Sequence, residues 1–456
     1  MTKRRMSRRE FMKDSAGAAG AYMAARTVLL EPEGPAWARA ASRPVAPSDR
    51  VRFGIIGVGM QGSGLLANSI QLPGVECAMA CDLYDGRHTL AKEIAGANLP
   101  TTRRYQEVLA SKDIDCVIVA VPDHWHKGIV VDAVSAGKDV YCEKPMSHSA
   151  ADGVAIVNAT QKSGRIVQVG SQRVSGVVAA KAREMLAQGT IGDLCLIEGS
   201  NGRNSPCGAW EYPPPPDLST ANLDWDTWQG PAPKRAFDPY LFARWRCWKE
   251  YGTGVAGDLL VHLVSGMLAM VGTSEAPRRC MAMGGIVRWK DGRNMPDVHA
   301  SIFEYEKAGS APVYLRLNLG TNTPEGYRFM GSKGILEVNS ESVTYTPQSG
   351  QDDAPCYYAG SFPRAMHDEY VKKWHEEYDT APGKEAVVEG ARFMGPSWDD
   401  TKPHLWNFFQ AVKMRQPVVE DVVFGHHAAL ACHMANESYF AESGVRWDPA
   451  SQTIKS

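Results

Sequence analysis

The sequence predicts an α/β chain of two domains: a doubly wound, mostly parallel sheet, followed by an α+β part with antiparallel strands. Three observations predict it. From residue 51 to about 145, short apolar runs alternate with helical stretches, the pattern of parallel strands joined by crossover helices. A glycine turn, Gly57-Val58-Gly59-Met60-Gln61-Gly62, lies between the first apolar run and the first helical stretch. Beyond Ile191-Gly192-Asp193 the texture changes to alternating strands and Gly/Pro-rich turns, as in antiparallel sheets.

The first run, Val51-Arg52-Phe53-Gly54-Ile55-Ile56, is of strand type, and Ser63 to Asn68 can open a helix. Asp82 ends a second apolar run, Val75 to Cys81, twenty residues past Gly62. In this setting GxGxxG is a dinucleotide-binding fingerprint. Gly57 permits the tight turn, Gly59 lets the backbone approach a pyrophosphate, and Gly62 lets helix and strand pack closely. The helix N-terminus, with Met60 and Gln61, then faces the phosphates. Asp82 is expected to accept hydrogen bonds from the adenosine ribose and to repel a 2′-phosphate, favouring NAD; Arg87 keeps NADP as the alternative.

Asp115 to Val121 is a continuous apolar strand that ends at Pro122-Asp123-His124-Trp125-His126, with a helix expected over Lys127 to Ala136. The strand Asp139 to Cys142 leads to Glu143-Lys144-Pro145, a helix over Ser149 to Lys162 and a strand over Ile166 to Val169. Ligands of open α/β sheets sit at the carboxyl ends of the strands. Gly57 to Gly62, Pro122 to His126 and Glu143 to Pro145 should therefore meet at one crevice. Further on, Val313 to Leu319 and Gly334 to Val338 read as antiparallel strands, and helices return at Thr401 to Lys413 and Val422 to Glu442.

Ser7-Arg8-Arg9-Glu10-Phe11-Met12-Lys13 reads as a twin-arginine export motif, followed by an Ala/Gly-rich stretch from Ala16 to Leu30 and a small-residue cleavage site at Ala38-Arg39-Ala40. The expected division is a leader at 1–40, a linker at 41–49, a nucleotide domain at 50–170 and a substrate and oligomer domain at 171–456. The expected location is periplasmic or extracytoplasmic, without membrane insertion of the mature chain. Exported folded, the chain would carry its nucleotide with it and recycle it within each turnover. Net charge is −2, with no basic stripe, so nucleic acid is a poor partner. The ten cysteines include no C-x-x-C pair, and no metal site is expected. Cys77, Cys81, Cys116, Cys142 and Cys195 fall in strand-like runs as small hydrophobes.

Lys144, beside a cationic nicotinamide and partly desolvated, is expected to have a depressed pKa and to bind or deprotonate a substrate hydroxyl. Asp258 and His262 are four apart, so on a helix they share a face and can touch. The carboxylate would then fix the imidazole tautomer and raise its basicity. Trp125 is placed to stack on cofactor or sugar. The Trp-rich stretch Asn204 to Tyr251 offers Arg244, Trp245 and Tyr251 as substrate contacts, although its aromatics suit a sugar face and a domain core equally well.

With these residues in view, the sequence resembles the glucose–fructose oxidoreductase/inositol dehydrogenase/rhizopine-catabolism (Gfo/Idh/MocA) family over roughly residues 50 to 450. The glycine turn, the Pro122…His126 strand end, Glu143-Lys144-Pro145 and Asp258-x-x-x-His262 carry the resemblance. It implies a Rossmann domain followed by a large open sheet, often used for homodimer or homotetramer contacts. It also implies hydride transfer between a sugar-like carbinol and the nicotinamide. On this resemblance Lys144 and His262 are the acid/base pair, Asp258 supports them, and His126 lines the nicotinamide pocket. His299, Arg316 and Arg328 lack a motif and read as structural. Two closed cycles fit a captive nucleotide: oxidation of one sugar with return of the hydride to a second carbonyl, or redox-neutral glycoside cleavage by transient oxidation and elimination. A non-catalytic sugar-binding protein is the reading from another class.

Overall fold

The computed structural model describes residues 46, 49–306, 311–348, 350, 354–378, 390–395 and 400–456. The predicted leader at 1–40 lies outside them.

The first sheet is built from β1 (Val51–Ile56), α1 (Met60–Ser69), β2 (Val75–Cys81), α2 (Asp85–Ala95), β3 (Thr101–Thr102), α3 (Tyr105–Ala110), β4 (Cys116–Val119), α4 (Asp123–Ser135), β5 (Asp139–Glu143), α5 (Ala150–Ser163) and β6 (Val167–Gly170). Its six strands lie in the order β3-β2-β1-β4-β5-β6, all paired in parallel. That order reverses between β1 and β4, the switch point at which such sheets bind ligands. Both faces are buried, and successive residues alternate between them. Cys116 and Ile118 join Phe53 and Ile55 on one side, while Val117 and Val119 join Ile129 and Val130 on the other.

The expected helix over Lys127 to Ala136 in fact begins four residues earlier. Pro122 caps it and Asp123 occupies its first turn, where a fixed φ and a carboxylate both suit a helix N-terminus. His124, Trp125 and His126 therefore lie on a helix and not in a loop.

The chain continues through α6 (Val177–Ala187), β7 (Leu194–Gly202), the short helices α7 (Trp225–Gln229) and α8 (Pro239–Ala243), a π-helical turn at Ala256–Leu260, and α9 (Val261–Val271). There follow β8 (Arg279–Gly285), β9 (Val298–Glu304), β10 (Val313–Asn318), β11 (Thr323–Gly331), β12 (Gly334–Asn339), β13 (Ser342–Pro347), α10 (Arg364–Tyr378), β14 (Arg392–Met394), α11 (Thr401–Met414), α12 (Val422–Ala441), β15 (Val445–Asp448) and β16 (Thr453–Lys455). These strands form a ten-stranded sheet, in which β7 and β10 run parallel and the other pairs antiparallel. Val313, Leu315 and Leu317 point to a core shared with α6, α9 and α12, while Arg316 faces solvent. On the same outer face Arg328 pairs with Glu198 and Glu337. His299 is buried beside Ser301.

The last part of the chain returns to the first sheet. Leu405, Phe408 and Phe409 of α11 pack against Phe53 and Ile55, with the Phe53 and Phe409 rings 5.5 Å apart. His404, on the same helix, lies 2.9 Å from the Val169 carbonyl and 2.8 Å from Ser175 Oγ. All ten cysteines are unpaired. Cys81, Cys116 and Cys142 are buried as expected of small hydrophobes, but Cys195 is exposed.

Burial sets the acid response of this fold. Desolvation pushes His124, His299, His404 and His426 down to about 4 and His433 to about 3, and lowers His126 and His262 as well. Below about pH 6.5 the unfolded chain protonates these rings while the folded chain resists, so stability falls as pH drops toward 4. Asp123, Glu143 and Glu420 are raised by burial and act in the opposite sense, but they are outnumbered. The thermal midpoint should therefore fall steeply between pH 7 and pH 4.5 in a scanning-calorimetry series; a flat or rising profile would contradict this balance.

Candidate active site

The glycine turn meets its steric demands at two positions. Gly57 has φ +92°, and a Cβ there would sit 2.3 Å from the Ala120 carbonyl oxygen. A Cβ on Gly62 would sit 2.0 Å from the Gly57 carbonyl oxygen. The turn thus presses against β4 on one side and carries the start of α1 on the other. Asp82, at the end of β2, is buried. Its carboxylate accepts from Val58 N at 2.8 Å and Tyr84 N at 3.1 Å, and Arg87 lies 3.4 Å away.

Two connected hollows open at the carboxyl ends of the strands. One, of roughly 520 Å³, is bordered by Gly57, Asp82, Arg87, Pro122 and Trp125. The other, of roughly 280 Å³, is bordered by Gly59, Met60, Gln61, Glu143, Lys144, Asp258 and His262, with Trp210, Tyr212 and Trp245 opposite. Arg87, Ala120, Val121, Pro122 and Trp228 border both, so they form one trough along the switch point. Its lining suits a dinucleotide: the glycine turn and the start of α1 border it, with Asp82 at one end and Lys144 at the other.

At the second end the chemistry concentrates on Asp258. Lys144 Nζ donates to Asp258 Oδ1 at 3.0 Å and to its backbone carbonyl at 2.9 Å. Arg246 Nε donates to the same Oδ1 at 3.0 Å. The two cations outweigh burial and hold the Asp258 carboxyl well below the usual carboxylate range. Glu143 is buried under the turn, where Gln61 Nε2 and Gln172 Nε2 donate to its Oε1 at 3.0 and 2.7 Å. With only neutral donors close on that side, burial dominates and raises its pKa despite the nearby Lys144 charge.

His262 lines the same hollow, but its relation to Asp258 differs from expectation. No hydrogen bond joins them among the described residues, and His262 Nδ1 is buried without a partner. Burial, with the charges of Lys144, Arg173 and Arg203, lowers its pKa; Asp258 opposes this without prevailing. The expected carboxylate-assisted rise in basicity is therefore corrected to a histidine held neutral. The π-turn supplies the physical reason. Its wider winding breaks the i,i+4 alignment of an α-helix, and the Asp258 carboxylate turns to Lys144 and Arg246. Gly257 allows the turn to press on its neighbours, since a Cβ there would lie 1.6 Å from Thr253 Oγ1 and 3.2 Å from Pro145 Cγ.

Other expected contacts lie elsewhere. His126 does not border either hollow; it is buried, with its ring nitrogens 2.8 Å from the Pro145 carbonyl and 2.9 Å from that of Val121. Its place on α4 makes it a clamp between two strand ends. Trp125 borders the Asp82 hollow and not the Lys144 one, and its Nε1 donates to the Trp228 carbonyl at 2.9 Å. Tyr251 is fully buried in an aromatic cluster with Trp225, Trp228 and Phe242. Arg244 donates to the Tyr212 carbonyl and lies over the Tyr240 ring. Neither reaches the hollow, whereas Trp245 does.

Sequence reasoning missed Arg246, Arg203, Tyr212, Gln172 and Trp210. Arg246 adjoins Trp245, and a buried Asp258 facing Lys144 offers a second cation a partner; that was the available signal. Trp210 adopts φ +64°, an uncommon conformation for a bulky residue, and only coordinates reveal it.

Comparison with known proteins accords with this geometry. Residues 51–171 match the family model described as "Oxidoreductase family, NAD-binding Rossmann fold". The first sheet is thus an NAD-binding Rossmann fold. Inositol 2-dehydrogenase of Salmonella typhimurium is 30% identical over 167 residues, 36% of this chain and 49% of that protein. Glycosyl hydrolase family 109 protein 1 of Bacteroides fragilis is 29% identical over 160 residues, 33% of this chain and 34% of that protein. The chain spans about half the length of the inositol dehydrogenase and a third of the glycosyl hydrolase. Among solved structures, levoglucosan dehydrogenase with NADH and levoglucosan superposes with a TM-score of 0.62 at 18% identity, covering 87% of this chain and 99% of that one. The WlbA dehydrogenase of Bordetella pertussis superposes with a TM-score of 0.61 at 14% identity, covering 88% and 99%. These likenesses extend the shared fold through the second sheet, and the sequence matches support the resemblance of the N-terminal part to Gfo/Idh/MocA oxidoreductases.

The cluster around Asp258 should behave as a unit. Asp258→Ala strands two buried cations and should cost about 3–5 kcal/mol of stability. Combined with Arg246→Met, the loss should be smaller than the sum of the single losses by at least about 1 kcal/mol in a denaturant double-mutant cycle. Additive losses would mean that the two side chains do not share an interaction.

Proposed function

We propose that the protein is an exported, NAD-dependent oxidoreductase acting on a sugar or polyol hydroxyl, with a tightly held nucleotide recycled within each turnover. One observation carries the reading: Lys144, Asp258, Arg246 and His262 share a hollow with Gly59, Met60 and Gln61 of the nucleotide turn. The names of the inositol dehydrogenase and levoglucosan dehydrogenase relatives point to the same substrate class. Export rests on the Ser7–Lys13 motif, and the captive nucleotide follows from export in the folded state.

NAD, when bound, supplies the hydride acceptor. The side chains of this chain do the rest. Lys144 Nζ uses two N–H bonds on Asp258 and has a third for a substrate oxygen. His262, neutral because burial and nearby cations disfavour its charged form, is a proton acceptor for the reacting hydroxyl. Asp258 stays ionised and fixes both cations in place. Tyr212 and Trp245, partly exposed at the hollow, offer aromatic surface to the apolar side of a pyranose, while the Trp210 side chain is buried in the core.

A second reading, redox-neutral glycoside cleavage, is favoured by the match to the glycosyl hydrolase family 109 protein. It uses the same residues and differs in outcome: aglycone release without net accumulation of reduced nucleotide.

Lys144→Ala and His262→Ala should each lower turnover by about 10²–10⁴-fold, with nucleotide content unchanged. The assay is a panel of polyols, sugar-plus-carbonyl pairs and chromogenic glycosides, read for nicotinamide absorbance and aglycone release. Undiminished turnover in either variant would remove that residue from the chemistry.

A further inference from the structure

The ion pairs around the Lys144 hollow leave one of its cations without a partner among the described residues. Its bordering acids are Asp123, Glu143 and Asp258, and its bordering cations are Arg87, Lys144, Arg203 and Arg246. Asp123 accepts from Thr253 N at 3.0 Å and Thr253 Oγ1 at 2.7 Å, on the floor behind the π-turn. Glu143 is occupied by two glutamine amides and the Lys144 backbone N–H. Asp258 is the ion-pair partner of both Lys144 and Arg246. Arg87 has its own partner in Asp82.

Arg203 stands apart from all of these. It follows directly on β7, where its backbone N–H donates to the Asn318 carbonyl at 3.0 Å, so its Cα is held by the sheet. No ion pair or side-chain hydrogen bond occupies its guanidinium among the described residues, although it borders the hollow together with His262, Tyr212 and Arg246. A half-buried guanidinium costs free energy to hold without an anion, and its planar fork matches a carboxylate or a phosphate in two-point contact. Arg173 does not fill this role for it. Arg173 is itself a cation, packed against Glu325 outside the hollow, and its charge adds to that of Arg203 at His262.

We propose that the hollow takes a sugar bearing an anionic group, a carboxylate or a phosphate, and that Arg203 receives that group. The inference rests on the reading of this hollow as the sugar site. It narrows that class from sugars and polyols in general to anionic ones. The aromatic surface of Tyr212 and Trp245 holds the ring, Lys144 and His262 face the reacting hydroxyl, and Arg203 sets which end of the sugar points outward.

The test titrates the purified full-length protein, with and without added NAD, with three sets of ligands: hexuronates, hexose 6-phosphates and the matching neutral hexoses. Binding is read by calorimetry at low and high salt. The tightest anionic ligand should bind roughly 10–100-fold more tightly than its neutral counterpart, and the preference should shrink with salt. Arg203→Gln should abolish the preference, and Arg203→Lys should retain part of it. A preference confined to hexuronates identifies the group as a carboxylate, and one confined to the phosphates identifies it as a phosphate. A neutral hexose as the tightest ligand, no binding by any anionic sugar, or a preference that survives Arg203→Gln would overturn the inference. Nucleotide binding in the same samples reports separately on the oxidoreductase reading: an anion preference without NAD binding leaves this inference standing and that one fallen.

Discussion

The site depends on one carboxylate. Asp258 Oδ1 accepts from Lys144, at the end of the first sheet, and from Arg246, at the end of the insertion that precedes the π-turn. Three separate stretches of chain are thereby fixed to one atom. Burying a charge is costly unless it is paired and hydrogen-bonded, and here two cations hold the carboxyl ionised against its desolvation. The same arrangement leaves His262 without a carboxylate partner and among positive charges, so it stays neutral. A neutral imidazole beside a fixed ammonium is a division of labour suited to moving a proton off a hydroxyl.

The insertion at 204–251 matters as a wall. Trp225 and Trp228 stack at 4.8 Å and, with Tyr84, Phe242 and Tyr251, make a small core of their own. That core is anchored to α4: the His124 ring nitrogens lie 3.1 and 3.0 Å from the Tyr251 and Trp228 carbonyls, and Trp125 donates to Trp228 as well. A neutral imidazole donates only one of its two contacts. The strand end that reads as a nucleotide contact thus also carries the support for the wall at 204–251. Arg246 and Trp245 project from this wall toward the first sheet, the guanidinium 4.3 Å from the indole ring centre.

Much of this was legible in the chain. The strand, glycine turn, helix and distal acid predict the Rossmann half, because each has a local steric or electrostatic requirement. The observed strand order and the Gly57 and Gly62 contacts follow from those requirements. The alternation after Ile191 predicts antiparallel strands, though not the return of α11 to the first sheet. Nothing local distinguishes a helix that packs on its own domain from one that packs on the other. The differences have separate physical causes. The helix starts at Asp123, earlier than the apolar pattern implies, which puts Trp125 and His126 on a helix. The π-turn breaks the α-helical spacing that the sequence implies for Asp258 and His262. In the aromatic stretch neighbours face different ways, so Trp245 and Arg246 border the hollow while Arg244 and Tyr251 do not.

The most direct test of the account is the nucleotide itself. The protein is purified free of added small molecules and denatured, and the released nicotinamide nucleotide is identified and quantified against protein. The account predicts NAD(H) in near-stoichiometric amount, held in the trough between Asp82 and Lys144. Protein that carries no nucleotide and takes up none when NAD is supplied would contradict it.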